Sequence, residues 1–221
     1  MKRILLKGAG SMARIIHEMI DNGEVKDAVV QLVCDKFLSK PSYKTRAKFL
    51  PRVEVINKNL LSEITHFVIC ISGADGYERV KAANTLQKLG IKPISVLSRH
   101  SLVESSCQIG KGLQTMPGSI VRTFSKMGDQ CIMNTNSILD HECIVGDGVH
   151  IMGGATVAGR VTIGDFTTVG TGATILPNLE IGAGAFIGAG AVVTKNVEPF
   201  SLVVGVPAQK IKTINKLTSR K

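Results

Sequence analysis

Apolar residues in the second half of the chain recur at every sixth position. Stepping by six from Val103 reaches Ile109, Val121, Met133, Val145, Ile163 and finally Val193, and of the sixteen positions on this path only Thr115 is neither aliphatic nor Met. At the chain's 44% hydrophobic usage, about seven would be apolar by chance. A second path, four places further on and running from Cys107 to Ala191, holds only Cys, Ser, Thr, Ala, Val and Leu. Neither path carries a charge or an aromatic ring, which is how the inside of a solenoid reads. A helix would space its apolar residues by about 3.6 and a flat strand by about 2, so a period of six predicts a short strand followed by a turn. Three such units close a triangular coil of about 18 residues, so residues 103–193 predict about five stacked coils. Gly110, Gly128, Gly146, Gly164, Gly170, Gly182 and Gly188 are expected to supply the turns.

The first half follows a different pattern. Lys2–Lys7 reads as a short apolar strand, Gly8-Ala9-Gly10-Ser11-Met12-Ala13 as a glycine turn, and Ile15, Ile16, Met19 and Ile20 as the apolar face of a helix over 13–22. A second strand, Ala28–Cys34, ends at Asp35. Strand, Gly-x-Gly-x-x-Ala, helix, strand and acidic residue is the order of a dinucleotide-binding fingerprint. A third strand is expected over 67–71, leading into Ser72-Gly73-Ala74-Asp75, then a helix over 77–89 and a strand over 93–96. About 98 residues suffice for only one half of a doubly wound fold, which argues against a complete NAD site. The plain alternative is that Gly8 and Gly10 merely close a tight turn. The functional one is that the helix N-terminus faces an anionic or polar ligand.

The net charge of +10, from 27 basic and 17 acidic residues, would ordinarily raise nucleic-acid binding. Its distribution weakens that idea. Residues 1–98 hold 16 basic and 9 acidic side chains, residues 99–207 hold 6 and 8, and residues 208–221 hold 5 and none. Positive ends around a near-neutral middle suit a nucleotide or coenzyme phosphate, and neither nucleic acid nor membrane is expected as a partner. The five Cys form no CxxC pair, so no disulfide framework or zinc knuckle is indicated. Lys7 interrupts the N-terminal apolar run and no stretch approaches about 18 apolar residues, so the expectation is a soluble, cytoplasmic protein.

Two of the five His lie in the repeat, His141 within Asp140-His141-Glu142-Cys143, and His150. Both fall in outward positions, so neither is a core histidine by phase. A carboxylate bonded to one ring nitrogen would fix the tautomer and raise the basicity of the other, and Asp140 and Glu142 flank His141. The nine-residue spacing to His150 is half a coil, which puts the two on opposite sides of one prism. In a trimer of parallel prisms, one chain's His141 could face the next chain's His150.

The repeat resembles the hexapeptide-repeat acyltransferases, which implies a left-handed parallel β-helix and a homotrimer. The short α/β domain, the run Asn134-Thr135-Asn136-Ser137-Ile138-Leu139-Asp140-His141-Glu142-Cys143, His150 and Gly205-Val206-Pro207-Ala208 together resemble the sialic-acid O-acetyltransferase and bacillosamine-pathway N-acetyltransferase group. That resemblance implies transfer of an acetyl group from acetyl-CoA to the amino group of a nucleotide-linked amino sugar, for surface-polysaccharide or glycan biosynthesis, without a metal. It implies His141 as general base tuned by Glu142, His150 at the acetyl donor, and Thr171 and Ala189 along acetyl-CoA. It places Gly10, Ser11, Met12, Asp35, Ser72 and Gly73 at the nucleotide-linked sugar. Lys195, Lys210 and Lys212 could meet coenzyme phosphates or belong to a solvated basic tail. The expected organisation is a Rossmann-like nucleotide-sugar-binding domain at 1–98, the left-handed β-helix at 99–207 and a basic C-terminal tail at 208–221.

Three other readings compete. O-acetylation of a sugar hydroxyl or a sialic-type acid fits the same residues. A zinc hydratase on this fold would want three His where the repeat holds two. Against a non-catalytic β-helical assembly module stand the His-Glu pair and the added nucleotide-type domain.

Overall fold

The computed structural model describes residues 1–51 and 61–214; the last seven residues of the expected basic tail lie outside these. The first half forms β1 (Lys2–Lys7), α1 (Ser11–Asp21), β2 (Ala28–Cys34), β3 (Lys48–Leu50), β4 (His66–Ile69), α2 (Gly76–Lys88) and β5 (Lys92–Pro93). Its five strands are all parallel, in the order β3-β2-β1-β4-β5. β1 sits at the centre because Ile4, Leu5 and Leu6 are apolar on both faces, as a strand covered on both sides must be. α1 buries Met12, Ala13, Ile16, Met19 and Ile20 on the sheet, an i, i+4, i+7 stripe, whereas Ile15 is exposed.

The second half is a parallel β-solenoid. Two-residue strands recur every six residues, and as far as Thr174–Ile175 each pairs with the strand 18 residues on, as in Ile120↔Ile138 and Val121↔Leu139. The strands stack into three sheets of six, five and eight. In the six-stranded sheet, Leu102–Val103 and Val192–Val193 lie five such steps apart, the number of coils the period predicts. Both inward paths are buried along the middle of the coil, Val121, Met133, Val145 and Ile163 on one and Cys131, Cys143 and Ala173 on the other. Only residues near the ends, such as Val103 and Ile109, are partly covered.

The corners differ from expectation. Positive φ recurs every six residues from Gly112 (φ +72) to Gly190 (φ +67), and the path between includes Phe124, Gln130, Asn136, Glu142, Arg160, Phe166 and Asn178. Each of these seven side chains stands in the left-handed region, which costs an L-residue about 1–2 kcal/mol. The glycines expected to turn the chain lie two places earlier and have ordinary φ. Their reason is stacking: a Cβ at Gly110 would meet the Gly128 carbonyl at 2.4 Å, and one at Gly170 the Ile187 carbonyl oxygen at 2.5 Å. Along one corner, large and small alternate, with Phe166 beside Gly148 and Phe200 beside Gly184, so each ring fills space that the neighbouring coil's glycine leaves.

The halves are joined side by side as well as through the chain. Val96–Leu97 already pairs with Gln114–Thr115 of the solenoid. Arg79, fully buried on α2, donates from Nε to the Gln130 carbonyl and from Nη2 to the Gly148 carbonyl, both at 2.7 Å, and from Nη1 to the Ile71 carbonyl at 2.9 Å. At the far end Gln209–Thr213, within the stretch expected as a tail, pairs antiparallel with Ser201–Val204.

Candidate active site

His141 and Glu142 occupy one corner of the solenoid, and the corner explains their geometry. Glu142 takes the left-handed turn (φ 58), and its Oε2 accepts a hydrogen bond from His141 Nδ1 at 2.9 Å. Asp140, the other flanking carboxylate, is spent on the backbone, where Oδ1 accepts the His141 N–H at 2.8 Å. Of the two carboxylates, it is therefore Glu142 that orients the ring. A Nδ1–H donated to Glu142 leaves Nε2 with its lone pair, which is the arrangement of a general base. Nε2 lies against Gly159, one coil further along, where a Cβ would come within 2.5 Å of it. Sequence reasoning misses Gly159, although the 18-residue register from His141 points to it.

His150 lies in an outward position on its strand and yet is only 2% exposed, because the first half of the chain covers that face. Phase within a solenoid says what points away from its axis, and nothing of what packs there afterwards. His150 Nδ1 meets the Gly73 carbonyl at 3.0 Å, and Nε2 meets Asn134 Nδ2 at 3.4 Å. Burial pushes its pKa down to about 4, against the pull of the Gly73 carbonyl and with the help of the Arg79 charge.

A cavity of about 340 Å³ brings Ser11, Met12, Ser72, Gly73, His150 and Thr171 together, with Asn134 also in its wall. Residues expected on the acceptor side and on the donor side thus share one space. Ala189 does not line it; it is exposed one coil beyond Thr171, whose carbonyl accepts the Gly190 N–H at 2.9 Å. His141 and Glu142 do not line it either.

Gly10 and Asp35 line a second cavity, of about 660 Å³, together with Gly8, Phe37, Cys70 and Asp75. Gly8 is explained by the chain itself, since it has φ +114 and a Cβ there would meet the Cys70 carbonyl at 2.7 Å. Gly10 is not, because its φ is −85 and nothing lies within 4 Å of where a Cβ would stand. It caps α1 with no side-chain hydrogen bond, so the helix N-terminus opens onto this space. Asp35 accepts the Ala9 N–H on Oδ2 and the Phe37 and Leu38 N–H groups on Oδ1, at 2.7–2.9 Å. It shapes the wall by tying the glycine turn to the 36–38 turn.

No thiol is poised as a nucleophile among the five Cys. Burial pushes Cys34 up to about 11 and Cys131 up to about 12, and raises Cys70, Cys107 and Cys143 as well. Among the described residues no helix is long and apolar enough to cross a membrane.

Residues 142–176 and 160–195 match the family described as bacterial transferase hexapeptide (six repeats). Those residues carry the hexapeptide repeat. No curated protein matches the chain. Solved structures do. PerB from Caulobacter crescentus, in complex with CoA and GDP-perosamine, is 24% identical with a TM-score of 0.85, over 96% of this chain and 98% of that one. The acetyltransferase domain of PglB from Neisseria gonorrhoeae, in complex with acetyl coenzyme A, is 23% identical with a TM-score of 0.81, over 95% and 99%. WeeI from Acinetobacter baumannii is 26% identical with a TM-score of 0.80, over 96% and 100%. The likeness covers the α/β half as well as the solenoid.

Proposed function

We propose that the chain is a cytoplasmic acetyltransferase that moves an acetyl group from acetyl-CoA to the amino group of a nucleotide-linked amino sugar, for surface-polysaccharide or glycan biosynthesis. The observation that carries this reading is the His141 Nδ1–Glu142 Oε2 hydrogen bond of 2.9 Å, which leaves Nε2 as a base at an open corner. A sugar amine is largely protonated at neutral pH and must lose a proton to react. The neutral amine attacks the thioester carbonyl carbon, and Nε2 accepts the proton its nitrogen sheds as the C–N bond forms. The C–S bond then breaks, and the imidazolium, stabilised by Glu142 until then, returns the proton to the departing sulfur, so CoA leaves as the thiol. No acyl-enzyme intervenes, in keeping with five Cys whose thiols burial holds protonated.

The shared cavity supports the assignment of partners. Ser11, Met12, Ser72 and Gly73 hold the sugar and His150 and Thr171 the acetyl donor, while Ala189, outside this cavity and one coil beyond Thr171, meets acetyl-CoA further along the solenoid. Gly10 and Asp35 belong to the adjoining space for the nucleotide. CoA and GDP-perosamine bound to the similar Caulobacter structure favour the same pair of substrates. That His141 does not line the cavity uniting the other residues supports a base supplied by a neighbouring copy, in a homotrimer.

Incubation of the purified chain with acetyl-CoA and a panel of nucleotide-linked 4-amino and 3-amino sugars tests the reading directly. The expected product is heavier by one acetyl group held as an amide, stable to hydroxylamine. An ester product would move the acceptor to a hydroxyl, and no transfer to any acceptor would reject the reading. Sedimentation giving an active monomer of 23.6 kDa would reject the shared site.

A further inference from the structure

Three buried side chains hold the stretch that leaves β4. Gln114 Nε2 donates to the Ile69 carbonyl at 2.9 Å, Arg79 Nη1 to the Ile71 carbonyl at 2.9 Å, and His150 Nδ1 to the Gly73 carbonyl at 3.0 Å. Alternate carbonyls of residues 69–73 are thus each given one donor, and two of the three donors project from the solenoid. The last of them stops at Ser72 and Gly73, the two residues of this stretch that line the cavity with Ser11, Met12 and Thr171.

The direction of that last hydrogen bond follows from what stands at the two ends of a short chain of groups. The Thr135 N–H can only donate, and it meets Asn134 Oδ1 at 2.8 Å. Nδ2 is then turned to His150 Nε2, so Nε2 accepts and carries no proton. The proton is on Nδ1, facing the Gly73 carbonyl, which can only accept. Turning the Asn134 amide over would set its NH₂ against the Thr135 N–H at one end and a ring lone pair against a carbonyl at the other. With its pKa pushed down to about 4 by burial, the ring is neutral at neutral pH, as this chain of donors requires.

We propose that His150 is a positioning residue: with its proton held on Nδ1 by the Asn134 amide, it fixes the Gly73 carbonyl and so registers the 72–73 loop on the solenoid, on the acceptor side of the cavity. This goes beyond a contact with the acetyl donor. It rests on the acetyltransferase reading only for its kinetic arm. In this role the ring transfers no proton; it tells the sugar-binding loop where the acetyl-carrying coil is.

The test compares two variants of the full chain. In His150→Asn the amide nitrogen can stand near the place of Nδ1 and donate to Gly73, whereas His150→Ala offers nothing. Amide hydrogen exchange over residues 72–76 is expected to speed up about tenfold in His150→Ala and less than about threefold in His150→Asn, since a buried carbonyl left without a donor is the larger loss. Imidazole nitrogen spectra of the wild type are expected to show Nδ1 protonated and Nε2 bare. In turnover, His150→Ala should raise the acceptor KM about tenfold, with partial recovery in His150→Asn, whereas the acetyl-CoA KM, which reports the ring's contact with the donor, should rise alike in both variants. Equal exchange in the two variants, a protonated Nε2 in the wild type, or a loss confined to the acetyl-CoA KM would each overturn the proposal. If no acceptor is turned over, the acetyltransferase reading fails, while hydrogen exchange and the nitrogen spectra still decide the role of His150.

Discussion

The His141 imidazole rests against the Cα of Gly159, so close that a Cβ at 159 would lie 2.5 Å from Nε2 and 2.6 Å from Cε1. Gly159 has no positive φ, so its backbone would accept any residue, and the ring alone excludes a larger one. Gly159→Ala is expected to fold and melt within a few degrees of wild type, because the ring is free to swing aside. A swing of about 1 Å can cost on the order of 10² in rate, so kcat should fall by about that factor while acetyl-CoA affinity holds. Steady-state kinetics with a thermal melt checks both halves; an unchanged kcat would detach Gly159 from the base.

The base itself is tested by His141→Ala. Loss of one positioned general base costs about 10²–10⁴ in rate, and kcat is expected to fall by that order with substrate affinities little changed. Glu142→Gln keeps a hydrogen-bonding partner for Nδ1 but removes the charge that steadies the imidazolium, so it should cost less, about 10-fold. Retention of more than half of wild-type kcat in His141→Ala, at saturating substrates, would place the base elsewhere.

Two glycines only two residues apart separate the two reasons for glycine in this solenoid. A Cβ at Gly170 would meet Ile187 O at 2.5 Å and Ala189 N at 2.7 Å, both backbone atoms that cannot move without parting the coils. Gly172 has φ +66 with nothing within 4 Å, so Gly172→Ala meets only the left-handed penalty of about 1–2 kcal/mol. Gly170→Ala should therefore lower the melting temperature clearly more than Gly172→Ala. The reverse order would mean that the turns, rather than the stacking, are what these glycines secure.

That distinction shows where the sequence is readable. The inward paths of the solenoid are legible because an 18-residue register gives each inward residue the same kind of neighbour on every coil. β1 and β2 are legible because they are apolar and flanked by glycine or a carboxylate. β3, three residues with no fully buried side chain, has no such signal. The corner path is equally silent, since Gly, Phe, Glu, Arg, Gln and Asn all occupy it and backbone geometry is their common property. Arg79 reads as a solvated helix residue until the second half of the chain is packed beside it, and only then do its three carbonyl partners come together. The burial of His150 is hidden for the same reason, and so is the use of Asp35, whose carboxylate serves its own backbone.

Burial of His150 should also be visible as a dependence of stability on pH. Its pKa is about 4 in the folded chain against an ordinary 6.5, with desolvation the first cause. Between these values the unfolded chain binds more protons than the folded one, so stability rises with pH across that window. The stabilisation is complete above about pH 6.5 and is lost progressively as pH falls through the folded value. A tenfold change in proton affinity is worth about 1.4 kcal/mol, so the fall from 6.5 to about 4 makes His150 account for a loss on the order of 3 kcal/mol by pH 4. His17 and His66 are lowered too, again chiefly by burial, and act in the same direction. Urea unfolding between pH 7 and pH 4.5 should show a declining midpoint, with a shallower decline in His150→Asn, which has no ring to protonate. Parallel declines in the two proteins would mean that His150 takes up its proton without leaving the Gly73 carbonyl, against a ring buried in its neutral form.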